Sequence, residues 1–145
     1  MNQTVITFSE AQLPDVAKQI LTYIKNDVLI LLKGQMGAGK TSLVRAICNH
    51  LGCDAEVGSP TFSIVNEYHC KPNPWSLSSI IHMDLYRLNK IEDVIDLGLT
   101  EYFESEIPVL IEWPEIAEPF YKGYSLLQIH IEVLDNQDRK IILTF

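Results

Sequence analysis

Apolar and polar positions follow three different periods along the chain, and each period marks a kind of element. Over residues 10–25, Leu13, Val16, Ala17, Ile20, Leu21 and Ile24 recur at helical spacing. Pro14 falls in the first turn, where its missing N–H costs no internal hydrogen bond. Val28 to Leu32 is instead an unbroken apolar run, the pattern of a strand covered on both faces. A glycine-rich turn follows, then a helical stretch from Lys40 to Leu51 that Gly52 is suited to stop. Thr61 to Tyr68 and Ser79 to Asp84 read as strands, separated by the turn-forming Lys71-Pro72-Asn73-Pro74. A polar helix over Lys90 to Leu97 and a short helical piece through Phe103 precede another buried strand, Val109 to Ile111, which Pro114 ends. The tail alternates Leu127, Ile129, Ile131 and Val133, turns at Asp135-Asn136-Gln137-Asp138, and returns through Ile141-Ile142-Leu143. That is a terminal hairpin. Strands mixed with helices, a parallel centre and an antiparallel end predict an α/β sandwich.

Composition narrows the class. A chain of 145 residues fits one domain, residues 1–145, and 47% hydrophobic with 21% charged residues excludes bulk disorder and fibres. Eleven Lys and Arg against 19 Asp and Glu give a net charge of −8. Binding to bulk nucleic acid through clustered Lys and Arg is therefore not expected, and RNA would be met through a local patch or a basic partner. No run approaches the roughly 18 apolar residues of a membrane span, and MNQTVITFSE has neither the basic nor the apolar region of a signal peptide. The expectation is a soluble, cytoplasmic protein. Cys48, Cys53 and Cys70 are an odd set that argues against a disulfide framework. Cys48, His50 and Cys53 lie near the end of one helix with no second ligand pair at zinc spacing.

The chemistry is densest at Gly34-Gln35-Met36-Gly37-Ala38-Gly39-Lys40-Thr41, which satisfies G-x-x-x-x-G-K-[ST]. Glycines let successive backbone N–H groups turn inward around an anion, and the helix opening at Lys40 adds its positive dipole end. Lys40 is a compact charge for the β and γ phosphates, and the Thr41 hydroxyl is a hard oxygen ligand for Mg²⁺. The loop follows an apolar strand and opens a helix, as the mechanism requires. With this loop, the sandwich becomes a P-loop NTPase-like three-layer fold with a mostly parallel central sheet and a C-terminal antiparallel hairpin.

A phosphate loop binds nucleotide; hydrolysis or transfer also needs acids at strand ends. Asp84, after Ile80-Ile81-His82-Met83, is placed to reach Mg²⁺ directly or through water, and Glu112, after Val109-Leu110-Ile111, to hold the metal or orient a water. His82 shares a face with Asp84 if the segment is extended, as a proton relay or as a packed supporting histidine. Asp84, Glu112 and His82 all remain open as general base. Asn89-Lys90-Ile91-Glu92 departs from the guanine-reading N-K-x-D signature in its last residue and opens a helix, so spacing leaves the base undecided.

Four ordered blocks resemble the TsaE (YjeE) family of P-loop ATPases in bacterial tRNA threonylcarbamoyladenosine synthesis. They are the phosphate loop with Leu43 and Arg45; Val57-Gly58-Ser59-Pro60-Thr61-Phe62 running on to Val65, Glu67 and Tyr68; His82-Met83-Asp84-Leu85-Tyr86-Arg87-Leu88; and Ile111-Glu112-Trp113-Pro114-Glu115. The first is shared by many NTPases, whereas the other three in this order are specific. The resemblance implies a cytoplasmic protein that binds ATP and Mg²⁺, hydrolyses ATP slowly alone, and supports a TsaB–TsaD pair that transfers threonylcarbamoyl to an anticodon-loop adenosine. It implies that Met36, Gly37, Ala38, Gly39, Lys40, Thr41 and Ser42 cradle the nucleotide. Thr41, Asp84 and Glu112 would serve the metal, and Lys40, Asp84, Glu112 and Thr61 the chemistry. Thr61 resembles a switch threonine that senses the γ-phosphate or metal. Trp113 either packs beside the nucleotide or is a core tryptophan. The resemblance implies that Phe8-Ser9-Glu10, with Ser9 at its centre, covers the adenine, and Arg139, at the terminal turn, either reaches the nucleotide or is a surface arginine. The stretch from Cys70 to Ile80 departs from the family pattern and is expected to be a surface loop.

Two other functions fit a phosphate loop. A small-molecule kinase would need an acceptor pocket and usually an arginine-bearing lid, yet Arg45, Arg87 and Arg139 lie in no long insertion. A nucleotide-responsive binding module would make hydrolysis incidental.

Overall fold

The run Val28 to Lys33 organises the molecule because both of its faces are covered. In this computed structural model, which describes residues 2–53 and 64–145, Leu29, Ile30, Leu31 and Leu32 are all at most 1% exposed. Leu29 and Leu31 join one core cluster and Ile30 and Leu32 the other, as the two-residue period of a strand dictates. Each such side chain contributes about 1.5–3 kcal/mol by leaving water.

In chain order, β1 (Gln3–Phe8) and a 3₁₀ turn (Glu10–Gln12) precede α1 (Leu13–Leu21), β2 (Val28–Lys33), α2 (Lys40–Leu51), β3 (Val65–His69) and β4 (Ser79–Asp84). Then come α3 (Ile91–Leu97), α4 (Leu99–Phe103), β5 (Val109–Glu112), a second 3₁₀ turn (Pro114–Ala117), α5 (Glu118–Tyr121), β6 (Ser125–Val133) and β7 (Arg139–Thr144). The strands form one sheet in the order β1-β7-β6-β2-β5-β4-β3. Its centre, β6-β2-β5-β4, is parallel; β7, β1 and β3 are added antiparallel at the two sides. Buried residues of α1 and α2, such as Ile20, Leu21, Leu43 and Ile47, fill one side of the sheet. Val94, Leu99, Phe103 and Tyr121 of α3, α4 and α5 fill the other, which makes three layers. No helix among the described residues is long and apolar enough to cross a membrane.

The expected elements recur with shifts that have physical causes. β1 is a strand that its own residues do not announce: Val5 is 55% exposed, and Ile6 and Phe8 gain their place by pairing with Ile141 and Arg139 of β7. The helix expected over 10–25 opens as a 3₁₀ turn in which the Gln12 side chain accepts from the Ser9 amide, so the α-helix begins at Leu13. The terminal hairpin forms as read, with Gln137 in the left-handed region of its turn. Gly52, also left-handed, ends α2. The stretch from Cys70 to Ile80 is more than a surface loop. Asn73 accepts from the amides of Trp75 and Leu77 and donates to the carbonyls of Lys71 and Leu77, which drives Leu77 into the core at 2% exposure. Thr61 and the rest of residues 54–63 lie outside the described residues.

Candidate functional site

The carboxyl ends of the parallel strands align. Glu112, the last residue of β5, is in register with Leu32 of β2 on one side and with Asp84 of β4 on the other. The chain leaving β2 turns through residues 34–39 directly above this edge. Gly34 passes so close to β6 that an added Cβ would lie 2.7 Å from the Ile131 carbonyl oxygen. Gly39 caps α2 at φ 108°, a conformation that any side chain would strain.

Lys40 begins α2 yet is only 5% exposed, because its side chain folds back under the loop. Its ammonium donates to the carbonyls of Gly34 and Gln35, the latter at 3.3 Å. On the other side the Trp113 ring covers it, 3.8 Å from ring centre to Nζ. Trp113 reaches this position from a left-handed backbone, φ 56°, just before Pro114; a bulky residue holds that conformation only where its surroundings enforce it. Tyr86 backs the indole at 5.0 Å between ring centres. Burial pushes the Lys40 pKa down, and the nearby charges of Glu112, Asp84 and Glu115 act against that shift.

Beside Lys40 lies a buried chain of polar groups. The Thr41 hydroxyl donates to both carboxylate oxygens of Glu112, at 3.0 and 2.9 Å. His82 Nε2 donates to Glu112 Oε2 at 2.6 Å. His82 is fully buried and Glu112 is 2% exposed, so the carboxylate is held from two sides in a site without bulk water. Among the described residues His82 Nδ1 meets no hydrogen-bond partner, and the Tyr68 ring lies 6.3 Å from the imidazole, centre to centre. Asp84 is half-buried at the same strand edge, and its Oδ1 accepts from the Tyr86 amide at 3.0 Å, fixing the turn that presents Tyr86 to Trp113.

Among the described residues two recesses flank the loop. The first is mainly apolar, lined by Phe8, Leu13, Ser42, Leu43, Arg139 and Ile141, with Glu10 at its rim. The second lies towards β6 and contains Met36, Trp113, Glu115, His130 and Glu132. Ala38 touches both. The expected nucleotide residues are thus split: Ser42 and Arg139 lie on one side of the loop, Met36 and Trp113 on the other. Trp113 packs against the Lys40 ammonium. Ser9 sits between Phe8 and Glu10, with its amide and hydroxyl both donating to the side-chain oxygen Oε1 of Gln12. Tyr86 was not singled out from the sequence as a site residue, although its place in the Asp84-Leu85-Tyr86 block was a signal.

The donors suit a divalent ion with hard oxygen ligands. Thr41, Glu112 and Asp84 offer a hydroxyl and two carboxylates beside the loop. Among the described residues no group of three or more His, Cys, Asp or Glu forms a cage of its own. Mg²⁺ is commonly held by one or two carboxylates, with phosphate oxygens and water completing its shell.

A glycine-rich loop between a buried parallel strand and a helix, opening on acids at the carboxyl edge of the sheet, defines a P-loop NTPase-like protein. Within that class the chain belongs to the TsaE family: the family model "Threonylcarbamoyl adenosine biosynthesis protein TsaE" matches residues 7–141. Proteins named tRNA threonylcarbamoyladenosine biosynthesis protein TsaE are similar to it in several bacteria. The one from Rickettsia felis is 34% identical, covering 93% of this chain and 75% of its own. The one from Bacillus subtilis is 34% identical, covering 89% and 77%, and that of Synechocystis is 39% identical, covering 79% and 74%. The crystal structure of Bacillus subtilis YdiB superimposes with a TM-score of 0.76 at 28% identity, covering 98% of this chain and 84% of that one.

Proposed function

We propose that the protein is a Mg²⁺-dependent ATPase, slow alone, that serves tRNA threonylcarbamoyladenosine formation in the cytoplasm as the partner of a TsaB–TsaD pair. It would regulate or reset the transferase and meet tRNA only through that complex, in keeping with its net charge of −8. The observation that carries the catalytic reading is the buried Thr41–Glu112–His82 chain beside Lys40.

Lys40 leaves its two loop carbonyls to grip the β and γ phosphates, while residues 36–42 present backbone N–H groups to the same oxygens. Thr41, Glu112 and Asp84 would hold Mg²⁺, whose charge would offset that of the phosphate oxygens. Glu112, kept in one orientation by His82, is also placed to direct a water at the γ-phosphate. Trp113 shields Lys40 from solvent, which strengthens its attraction for phosphate. The apolar recess beside Phe8 and Arg139 receives the base. Thr61, outside the described residues, is assigned the switch role, so that loss of the γ-phosphate releases its segment.

The test is ATP hydrolysis by the purified protein with and without TsaB–TsaD, with Lys40→Ala as control and Glu112→Ala as probe. Slow Mg²⁺-dependent turnover, changed by the partners and lost in both variants, is the expected outcome. Turnover indifferent to the partners would remove the purpose assigned to the site. A Glu112→Ala protein that binds ATP, cannot hydrolyse it and still supports tRNA modification would overturn hydrolysis as the function.

A further inference from the structure

At the far end of α2 from the phosphate loop, two thiols meet. Cys53 and Cys70 face each other across an isolated antiparallel bridge, with their sulfurs 2.8 Å apart. The Lys71 amide donates to the Gly52 carbonyl at 3.1 Å, so this backbone bond lies beside the pair. Non-hydrogen-bonded pairs of this kind bring their Cα atoms to about 4.5 Å, within the roughly 4.4–6.8 Å that disulfides span. Backbone bonds hold both residues in place: the Cys53 amide donates to the Cys48 carbonyl at 3.1 Å and the Cys70 amide to the Ser78 carbonyl at 2.9 Å. Cys53 and Cys70 are half-buried, within reach of a small reagent, whereas Cys48 is 1% exposed.

We propose that Cys53 and Cys70 form a reversible dithiol–disulfide site, oxidised by low-molecular-weight disulfides of the glutathione class. One cysteine thiolate attacks the sulfur–sulfur bond of the reagent, giving a mixed disulfide and releasing one small thiol. The other cysteine thiolate then attacks the protein sulfur of that mixed disulfide and releases the second small thiol. Two protein thiols thus give up two protons and two electrons, and one reagent disulfide becomes two thiols. The new bond joins the end of the phosphate-loop helix to the residue following β3, closing a covalent loop through residues 54–69. Closing such a loop limits the unfolded chain, so the oxidised protein melts higher. Reduction in a thiol-rich compartment makes the site a responsive one and not a permanent staple.

The test equilibrates the full chain, without air, in graded mixtures of reduced and oxidised glutathione, traps thiols by alkylation and maps the peptides by mass. The expected product is an intrachain Cys53–Cys70 link that grows with the oxidised fraction, raises the melting temperature and is reversed by dithiothreitol. Cys48 should be alkylated only after unfolding. Cys53→Ser and Cys70→Ser should each abolish the melting shift and leave the remaining cysteine carrying glutathione. Glutathione on both cysteines without a link, a link through Cys48 or between chains, or two unmodified thiols in oxidised glutathione alone would each overturn the proposal.

Discussion

The two sides of the phosphate loop are built differently. The side that holds Lys40 rests on parallel strand ends: Lys40, Glu112 and His82 are buried, and hydrogen bonds tie Lys40 to the loop and Glu112 to Thr41 and His82. The recess opposite is made at the sheet edge, where β1 meets β7, from mainly apolar side chains around Arg139 and Ser42. Charge chemistry needs direction, since a carboxylate turned away from its metal is lost to the reaction, and buried hydrogen bonds supply that direction. A recess for a flat heterocycle needs area and shape, which non-directional apolar contacts provide. The first region should therefore fail sharply when altered, and the second by degrees.

The largest effect is expected at Lys40. Lys40→Met keeps the length of the stem, removes the charge and should lower ATP turnover about 10²–10³-fold, as loss of one charge-stabilising donor does. Stability should move the other way. Burial holds the folded pKa of Lys40 below its unfolded value of about 10.4. Between those two values the unfolded chain binds more protons than the folded one, so the native protein gains stability as pH rises through that window. Below it both states are protonated and the penalty of the buried charge is complete. Lys40→Met should then melt above the native protein at neutral pH, with the gap narrowing towards pH 10. A variant that melts lower at every pH would show that the contacts with Gly34, Gln35 and Trp113 outweigh the burial of the charge.

His82 comes next. His82→Phe keeps a ring in the core and deletes the donor to Glu112. Groups that orient metal ligands are worth about 10–100-fold in metal affinity, so the Mg²⁺ concentration for half-maximal turnover should rise by that factor. Restoring full turnover at high Mg²⁺ would mark His82 as a positioning residue. Turnover that stays low at saturating Mg²⁺ would assign His82 to the proton transfer itself.

The contrast between the two regions also explains what the sequence disclosed. The phosphate loop, Asp84 and Glu112 are each fixed by neighbours in the chain: a glycine pattern before a helix, or an acid closing an apolar run. Such signals are local, so the residues were legible. The Glu112–His82 contact spans two strands, and the spacing of His82 and Asp84 showed a shared face but not which group that face met. β1 was illegible because Val5 faces solvent and its pairing partner lies more than a hundred residues away. The recess built on that pairing could be placed only through a resemblance. Leu77 was missed because an Asn73 side chain, not a periodic pattern, turns it inward.

The smallest effects belong to that recess, and they separate its two kinds of contact. Phe8→Ala removes apolar area from its wall and should weaken ATP about tenfold, which is about 1.4 kcal/mol and roughly half the transfer free energy of a phenylalanine side chain. Binding of inorganic tripolyphosphate, which has no base to bury, should stay unchanged. Arg139→Ala should cost less still, because a half-exposed guanidinium screened by water and salt is worth at most about 1 kcal/mol. Its loss should appear as an affinity drop of less than about fivefold that shrinks further as salt is raised. If Arg139→Ala weakened ATP and tripolyphosphate equally, the arginine would act on the phosphates, and the recess could no longer be read as a site for the base alone.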